Sequence, residues 1–460
     1  MSKYNSNVGK NRIKAIIKNK DSHVHFVGVG GVGMYSLFRL TELSCRRVSG
    51  SDREESRLTS ALKKRGAAIR IGHSAENVKE ADLAVYTLAL SEDNPEVSYA
   101  LESSVPTASR AEYLGAIMEE YKERIGVSGT HGKTTTTAML DAIFARAGRE
   151  PTTVLGAIIP GMDEPLRIGK KDFFIYEACE YMDSFLSFSP TVSVFTNIEL
   201  DHVDYFKDIE ALKKSFLSAM SMSGLCVVNS DDENLCSLIP FLKNRCVSFG
   251  TGEDADYRVT EIRQKQGRYS FKIRHEGVDK LEISLNAPGR FNVMNAAAAA
   301  ALSCEVGIPG AYIEEALRSF SGVERRLERL GEYNGAQVFY DYAHHPTEIE
   351  CAIKSVRELC PGRAAVIFKP HTYSRTAAFI EDFASALSLA DVVLLCDISA
   401  IRERDTLGVS SELLASKIKC RAKYVTDEDC ARELLCESFD SLIIMGAANL
   451  DKVKHQLFGK

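Results

Sequence analysis

The sequence lacks a C-x-x-C pair, although it holds 12 cysteines. That argues against a zinc site or a thioredoxin-type motif. It also lacks a basic excess: 57 Lys+Arg stand against 63 Asp+Glu, for a formal net charge of −6. A dedicated nucleic-acid or membrane-surface binder would show the opposite balance, so neither partner is expected. No long hydrophobic run occurs, and the apolar stretch Val392–Leu395 is far too short to cross a bilayer. The N-terminal stretch has no apolar signal core and carries Lys3, Lys10, Arg12, Lys14, Lys18 and Lys20 instead. It reads as a solvated arm, with a short amphipathic helix around Ile13, Ile16 and Ile17 as the alternative. Scattered cysteines without a signal peptide imply a reducing, cytoplasmic setting. Cys351, Cys396 and Cys436 sit in apolar stretches and read as small core hydrophobes. Low-complexity segments and solenoid-period repeats are absent as well.

What is present is an ordinary globular composition, 45% hydrophobic and 26% charged, which excludes a disordered or collagen-like chain. At 460 residues the length suggests about three domains. Short apolar strands alternate with helical stretches. The pattern predicts strands at His25–Val29, Arg47–Gly50 and Ala81–Tyr86, with helices over Gly33–Leu43 and Glu55–Arg65. It restarts at Arg124–Ser128 and runs into a helix over Thr134–Arg146. Strands follow at Phe173–Ala178, Val192–Thr196 and Leu225–Asn229. Alternation across Tyr257–Leu285 predicts antiparallel strands, and a helix runs from Asn292 through Ala301. A third start comes at Ala336–Asp341, continued by Ala364–Phe368, Val392–Asp397 and Ser441–Met445. This is the βαβ rhythm of an α/β protein with mostly parallel sheets. Breaks are expected within Pro106–Glu123 and Val323–Gly335, giving domains at 1–118, 119–325 and 326–460.

Gly28-Val29-Gly30-Gly31-Val32-Gly33 matches G-x-G-x-x-G between a predicted strand and helix. Its glycines let the backbone approach a diphosphate at the helix N-terminus. Asp52 follows at about the twenty-residue distance of a ribose-binding acid. Alone, this motif reads as a dinucleotide oxidoreductase. A second loop, Gly129-Thr130-His131-Gly132-Lys133-Thr134, lies in the same strand–loop–helix setting. The strict Walker pattern wants glycine where Val127 stands, yet the physics fits: backbone N–H groups, a cation on Lys133 and a magnesium ligand on Thr134. Glu177, at a strand end, supplies a hard oxygen donor. Thr196 to His202 places amide, acid and imidazole groups at another strand's C-terminal edge, where ligands bind in open parallel sheets. Asp341-Tyr342-Ala343-His344-His345-Pro346-Thr347-Glu348 and His371 to Thr376 repeat the strand-then-polar-loop layout. Together they favour an anionic or polar substrate site.

These motifs, in this order and across nearly the whole chain, resemble the Mur ligase family of peptidoglycan synthesis. The resemblance implies a Rossmann-like UDP-binding domain, a P-loop ATPase-like central domain with appended antiparallel strands, and a Rossmann-like C-terminal domain. It further implies an ATP-dependent amide ligase joining L-alanine to the lactyl carboxylate of UDP-N-acetylmuramate through an acyl phosphate. A family member taking a preformed murein tripeptide is the alternative, and an oxidoreductase the more distant one. By position, Gly28, Gly30, Gly31 and Gly33 face the UDP diphosphate, with Asp52 and His73 near the sugar or uracil. Gly129, Thr130, His131, Gly132, Lys133, Thr134 and Thr135 hold the ATP phosphates. Asn292 and Asn295 receive adenine, and Arg326 and Asp341 face ATP on closure. Thr134, Glu177 and His202 serve Mg2+, with Mn2+ as an alternative. Tyr342, His344, His371 and Arg375 surround the amino acid, with His344 as the base and Lys133 and Arg375 as its catalytic partners. The sequence departs from the family pattern at Phe291, where the adenine segment usually has His, and at Ala448, where it usually has Gly. Phe can stack on adenine but cannot hydrogen-bond to it.

Overall fold

The computed structural model describes residues 6–45, 47–90, 93–400, 403, 405–434 and 438–459. Lys3 and Cys436 lie outside the described residues. The architecture is α/β, built on three sheets. The first is wholly parallel, in the order Ala68–Ile71, Arg47–Asp52, His23–Val27, Leu83–Tyr86, Thr107–Ser109. The second has ten strands. Its parallel centre is Leu225–Asn229, Val192–Phe195, Glu123–Ser128 and Phe173–Glu177. Arg245–Gly250 and Tyr257–Lys265 continue it in parallel at one edge, and Arg268–His275 and Val278–Ser284 then extend it antiparallel, so the antiparallel pairing expected across Tyr257–Leu285 begins only at its second strand. The third sheet is parallel except for its edge strand Glu328–Tyr333. Its neighbour Ala336–Asp341 pairs with Ser441–Met445. Central strands such as Val192–Phe195 and Ser441–Met445 are buried at every position, as expected where helices cover both faces of a parallel sheet.

Two expectations are corrected. The N-terminal arm is not solvated: Lys10–Lys18 is a helix whose Ile13 and Ile16 are buried. The isoleucines at helical spacing make an apolar stripe that joins the core of the first domain. Lys10 and Lys14 pair with Glu119 beside it. The segment from Pro106 to Glu123 is no linker either. It contains the strand Thr107–Ser109 and the helix Arg110–Met118, capped by a Ser109–Glu112 capping box. Phe26, Tyr113 and Leu114 share one hydrophobic core with Phe174, Tyr176 and Phe185, so the first two sheets are packed as one body. Cys396 is fully buried, in line with its reading, whereas Cys351 is only partly buried.

A fully buried carboxylate, Glu96, stands under the first sheet. It accepts hydrogen bonds from Ser51 Oγ at 2.5 Å, Asn77 Nδ2 at 2.5 Å and Ser74 N at 3.2 Å. The rings of His25 and His73 each approach it to 3.3 Å. Burial alone would raise its pKa, but the bonds from His25, His73, Ser51 and Asn77 outweigh that and hold it well below the usual carboxylate range. The stability it contributes is therefore present above the ordinary glutamate pKa and lost as the pH falls below it. Glu96→Gln leaves two imidazoles without their anion. It is expected to cost about 1–3 kcal/mol, the penalty of leaving buried donors without their acceptor, and to move the urea unfolding transition to lower denaturant at pH 7. At pH 3 the difference from the parent chain should shrink.

Candidate functional site

The second glycine loop joins the strand Glu123–Ser128 to the helix Lys133–Arg146. Gly132 takes φ +84°, and a Cβ there would strike Asn295 Oδ1, so the loop needs glycine on both backbone and packing grounds. Lys133 Nζ donates to the carbonyls of Gly129 and Thr130 and to the Glu180 carboxylate, the last at 2.9 Å. Burial would lower the lysine's pKa, but Glu180 reverses that, so the ammonium stays charged. Thr134 Oγ1 donates to Glu177 Oε2 at 3.0 Å. His202 lies apart from that pair, 3.7 Å from Glu180. The metal set expected from the sequence therefore divides into Thr134 with Glu177, and His202 with Glu180. Cys179 is near the second pair, but burial pushes its thiol up to about 12, so it stays protonated. Glu180 is the residue the sequence reading left out of this set.

A cavity of about 450 Å³ opens over this loop, lined among others by Thr134, Phe291, Asn295, Arg326 and Asp341. Asn292 does not line it: it is buried behind Asn295, accepting a 3.0 Å bond from Asn295 Nδ2. Asp341 accepts from the amides of Leu327 and Ala343, both at 2.7 Å, and burial pushes it up to about 6. It thus braces the connection into the third domain as well as facing the cavity. Arg326 stacks over Tyr342 at 4.9 Å and reaches Thr134 Oγ1 at 3.4 Å.

His131 ties the second and third domains together. One ring nitrogen is 2.8 Å from Glu199 and the other 3.0 Å from Glu348. Only the imidazolium can donate to both carboxylates. Burial opposes that charge, but Glu199 and Glu348 prevail and push the pKa up to about 9. A raised histidine pKa contributes stability fully present below pH 6.5, declining as pH rises toward 9 and gone above it. The melting temperature is expected to fall between pH 6.5 and 9, and His131→Gln should flatten that slope. Thermal scans across the interval check it.

The third-domain residues converge on a smaller cavity of about 220 Å³, where Tyr342, His344, His371, Arg375, His202 and Glu403 all contribute lining. Arg375 is buried and bound to Asp201 Oδ1 at 2.8 Å through both Nε and Nη2. Its Nη1 faces His371 Nδ1 at 3.0 Å. Asp201 and His202 come from the second domain, so this ion pair closes the cavity. His344 donates Nδ1–H to the Tyr342 carbonyl at 3.0 Å, which leaves Nε2 with its lone pair. Burial pushes this imidazole down to about 3, against the pull of Glu348, so it is neutral and far less basic than an ordinary histidine. Burial and Arg375 likewise push His371 down to about 4. Positive φ values at His202 (+52°) and Thr372 (+66°) place strained backbone at the cavity wall, as functional sites often do.

The first glycine loop follows the strand His23–Val27. Gly28 takes φ +85°. Asp52 Oδ2 accepts from Gly30 N at 2.8 Å, so it braces the loop directly. His73 turns Nδ1 toward Ser51 and Glu96. The guanidinium of Arg110 packs on Gly33 and brings a cation to the loop. No sequence spacing marks Arg110, since it arrives from a strand end on the far side of the sheet.

Three family models match consecutive stretches: the Mur ligase family catalytic domain over residues 23–122, the Mur ligase middle domain over 127–303, and the Mur ligase glutamate ligase domain over 325–448. The chain is 38% identical over 437 residues to a UDP-N-acetylmuramate–L-alanine ligase of Caldicellulosiruptor bescii, covering 93% of this chain and 96% of the relative. It is 40% identical over 447 residues to the same-named ligase of Clostridium novyi, covering 95% and 97%. The crystal structure of the UDP-N-acetylmuramate-alanine ligase from Thermotoga maritima superposes with a TM-score of 0.81 at 29% identity, covering 95% of this chain and 98% of that one. A murein peptide ligase from Psychrobacter arcticus shares the fold, with a TM-score of 0.74 at 22% identity over 95% of this chain and 98% of its own. Among the described residues no helix is long and apolar enough to cross a membrane. The chain belongs to the Mur ligase family.

Proposed function

We propose that this chain is an ATP-dependent ligase joining L-alanine to the lactyl carboxylate of UDP-N-acetylmuramate, in the cytoplasm, for peptidoglycan precursor synthesis. The domains are taken as 1–118 for the UDP substrate, 119–325 for ATP and 326–460 for the amino acid. The observation that carries the reading is the 220 Å³ cavity between Arg375 and His202. It sets the Arg375 guanidinium and the His344 and His371 imidazoles beside the Asp204 and Glu403 carboxylates, a lining suited to the zwitterionic end of an amino acid.

A carboxylate is a poor electrophile, and transfer of the ATP γ-phosphate makes it an acyl phosphate. Lys133 then offsets phosphate charge, and Arg326 joins it from the third domain. Thr134 and Glu177 are hard oxygen donors suited to Mg2+, and His202 with Glu180 could complete its environment. Bound there, the ion would supply further charge neutralisation. Asn295 and Phe291 line the adenosine side, Phe291 by stacking. Gly28, Gly30, Gly31 and Gly33, with Arg110, receive the UDP diphosphate at a helix start, while Asp52 and His73 stand toward the sugar or uracil. Arg375 and His371 orient the alanine carboxylate. The ammonium gives up one proton to water before closure. His344 then accepts a hydrogen bond from the amine at Nε2, which points the nitrogen lone pair at the acyl carbon. Attack there forms the C–N bond and breaks the acyl C–O bond, and inorganic phosphate leaves with its electron pair. Closure by the Asp201–Arg375 and His131 contacts keeps water from the acyl phosphate.

Phosphate release with ATP and UDP-N-acetylmuramate is the test. Release is expected with L-alanine and not with L-Ala-γ-D-Glu peptides, and the reverse preference would favour the peptide-donor ligase.

A further inference from the structure

The amino-acid cavity has to hold a zwitterion. Arg375 supplies its cationic side, and a matching anion is needed for the ammonium. Asp204 and Glu403 are the carboxylates on the lining of this cavity among the described residues. Asp204 accepts from the Tyr181 hydroxyl at 2.7 Å and stands beside His202. Glu403 comes from the connection between the strand Val392–Leu395 and the helix Ser411–Lys417. That loop leaves the C-terminal end of a parallel strand, the edge where such sheets bind ligands.

Among the described residues, Ser374 holds the Glu403 carboxylate. Ser374 donates Oγ–H to Glu403 Oε1 at 2.6 Å and N–H to Oε2 at 2.9 Å. Ser374 immediately precedes Arg375, so these two bonds fix the spacing between the carboxylate and the guanidinium. Each carboxylate oxygen keeps a further acceptor position. The loop is itself anchored to the same wall: Thr372 N donates to Ser399 O at 2.9 Å and Ser399 N to Pro370 O at 2.8 Å. Glu403 lines the same cavity as His371 and Asp204, at its polar face.

We infer that Glu403 binds the α-ammonium of the incoming amine donor, opposite Arg375, and thereby makes the cavity selective for α-amino acids over their des-amino analogues. This rests on reading the cavity as the amine-donor site. With the His344 Nε2 lone pair beside it, the bound ammonium is held by charge and directed by hydrogen bonds, while His371, whose Nδ1 accepts from Arg375 Nη1, keeps its Nε2–H for the carboxylate.

Glu403→Gln keeps the shape and removes the charge. Steady-state kinetics of the full-length variant are expected to show the KM for L-alanine raised roughly ten- to hundredfold, with the KM values for ATP and UDP-N-acetylmuramate unchanged. Glu403→Asp should recover part of the loss. L-Lactate, which has the carboxylate without the ammonium, separates binding from architecture. It should inhibit the variant and the parent chain equally, so that discrimination between alanine and lactate shrinks. An unchanged alanine KM would overturn the assignment. So would equal weakening of alanine and lactate, which would make Glu403 only a brace for Ser374. Should the parent chain use a peptide rather than alanine, the alanine reading fails and the same comparison is made on the peptide KM. Should it turn over neither, calorimetric titration of L-alanine into parent and variant decides the assignment.

Discussion

Lys133→Ala is expected to lose ligation by a hundredfold or more while binding UDP-N-acetylmuramate like the parent chain. The ammonium is held by the Gly129 and Thr130 carbonyls and the buried Glu180 carboxylate, with the lysine itself partly buried. It therefore acts in a water-poor site, where removing a charge aimed at developing negative charge costs several kcal/mol of barrier. The UDP loop lies on another sheet and does not share these contacts. The substitution also leaves Glu180 buried beside His202 with no cation, so ATP affinity should fall as well through repulsion of the phosphates. Calorimetry with the UDP substrate, alongside single-turnover phosphate release, separates the two effects. Loss of UDP-substrate binding in a folded variant would refute the placement of the two nucleotides on separate domains.

The parts of this site legible in the sequence are those whose chemistry is local. A glycine loop between strand and helix carries its own signature, because the turn, the amide donors and the helix start all lie within a few residues. That is why Gly132, Lys133 and Thr134 are found together both in sequence and in space. The strands around them were legible for a similar reason: continuous apolar runs such as Val192–Phe195 state their own burial. Residues that act across domain boundaries carry no such signal. Glu180 counterbalances Lys133 from a different loop, Asp201 meets Arg375 over a separation of 174 positions, and Glu348 meets His131 over 217. Only the folded chain brings these partners together. Burial explains the rest. His344 looked like an ordinary titrating imidazole, but the packing that forms its cavity also removes its basicity. The N-terminal helix is the opposite case: its lysines suggest solvent, while Ile13 and Ile16 on one face settle its burial.

Arg375 lines the 220 Å³ cavity, and its geometry changes what its loss should do. The guanidinium is committed to Asp201 through two donors, and both side chains are about 5% exposed. Burial alone would raise the Asp201 pKa, but Arg375 keeps that carboxylate ionised, well below the usual range. Arg375→Ala is therefore expected to strand a buried charge at the junction of two domains, at a cost of about 3–5 kcal/mol. The KM for L-alanine should rise by tenfold or more, and kcat should fall too, because the closed arrangement is weakened. A purely alanine-binding arginine would shift the KM alone. The double variant Arg375→Ala with Asp201→Ala tests the distinction, since it removes both charges and leaves neither stranded. It should recover part of the lost kcat relative to Arg375→Ala while keeping the raised alanine KM, a non-additivity of about 1–3 kcal/mol between contacting partners. Steady-state kinetics varying one substrate at a time give both parameters. Strict additivity would mean that the pair does not couple the domains. A raised KM for ATP with an unchanged alanine KM would move Arg375 to the nucleotide side, and the zwitterion cavity would lose its cation.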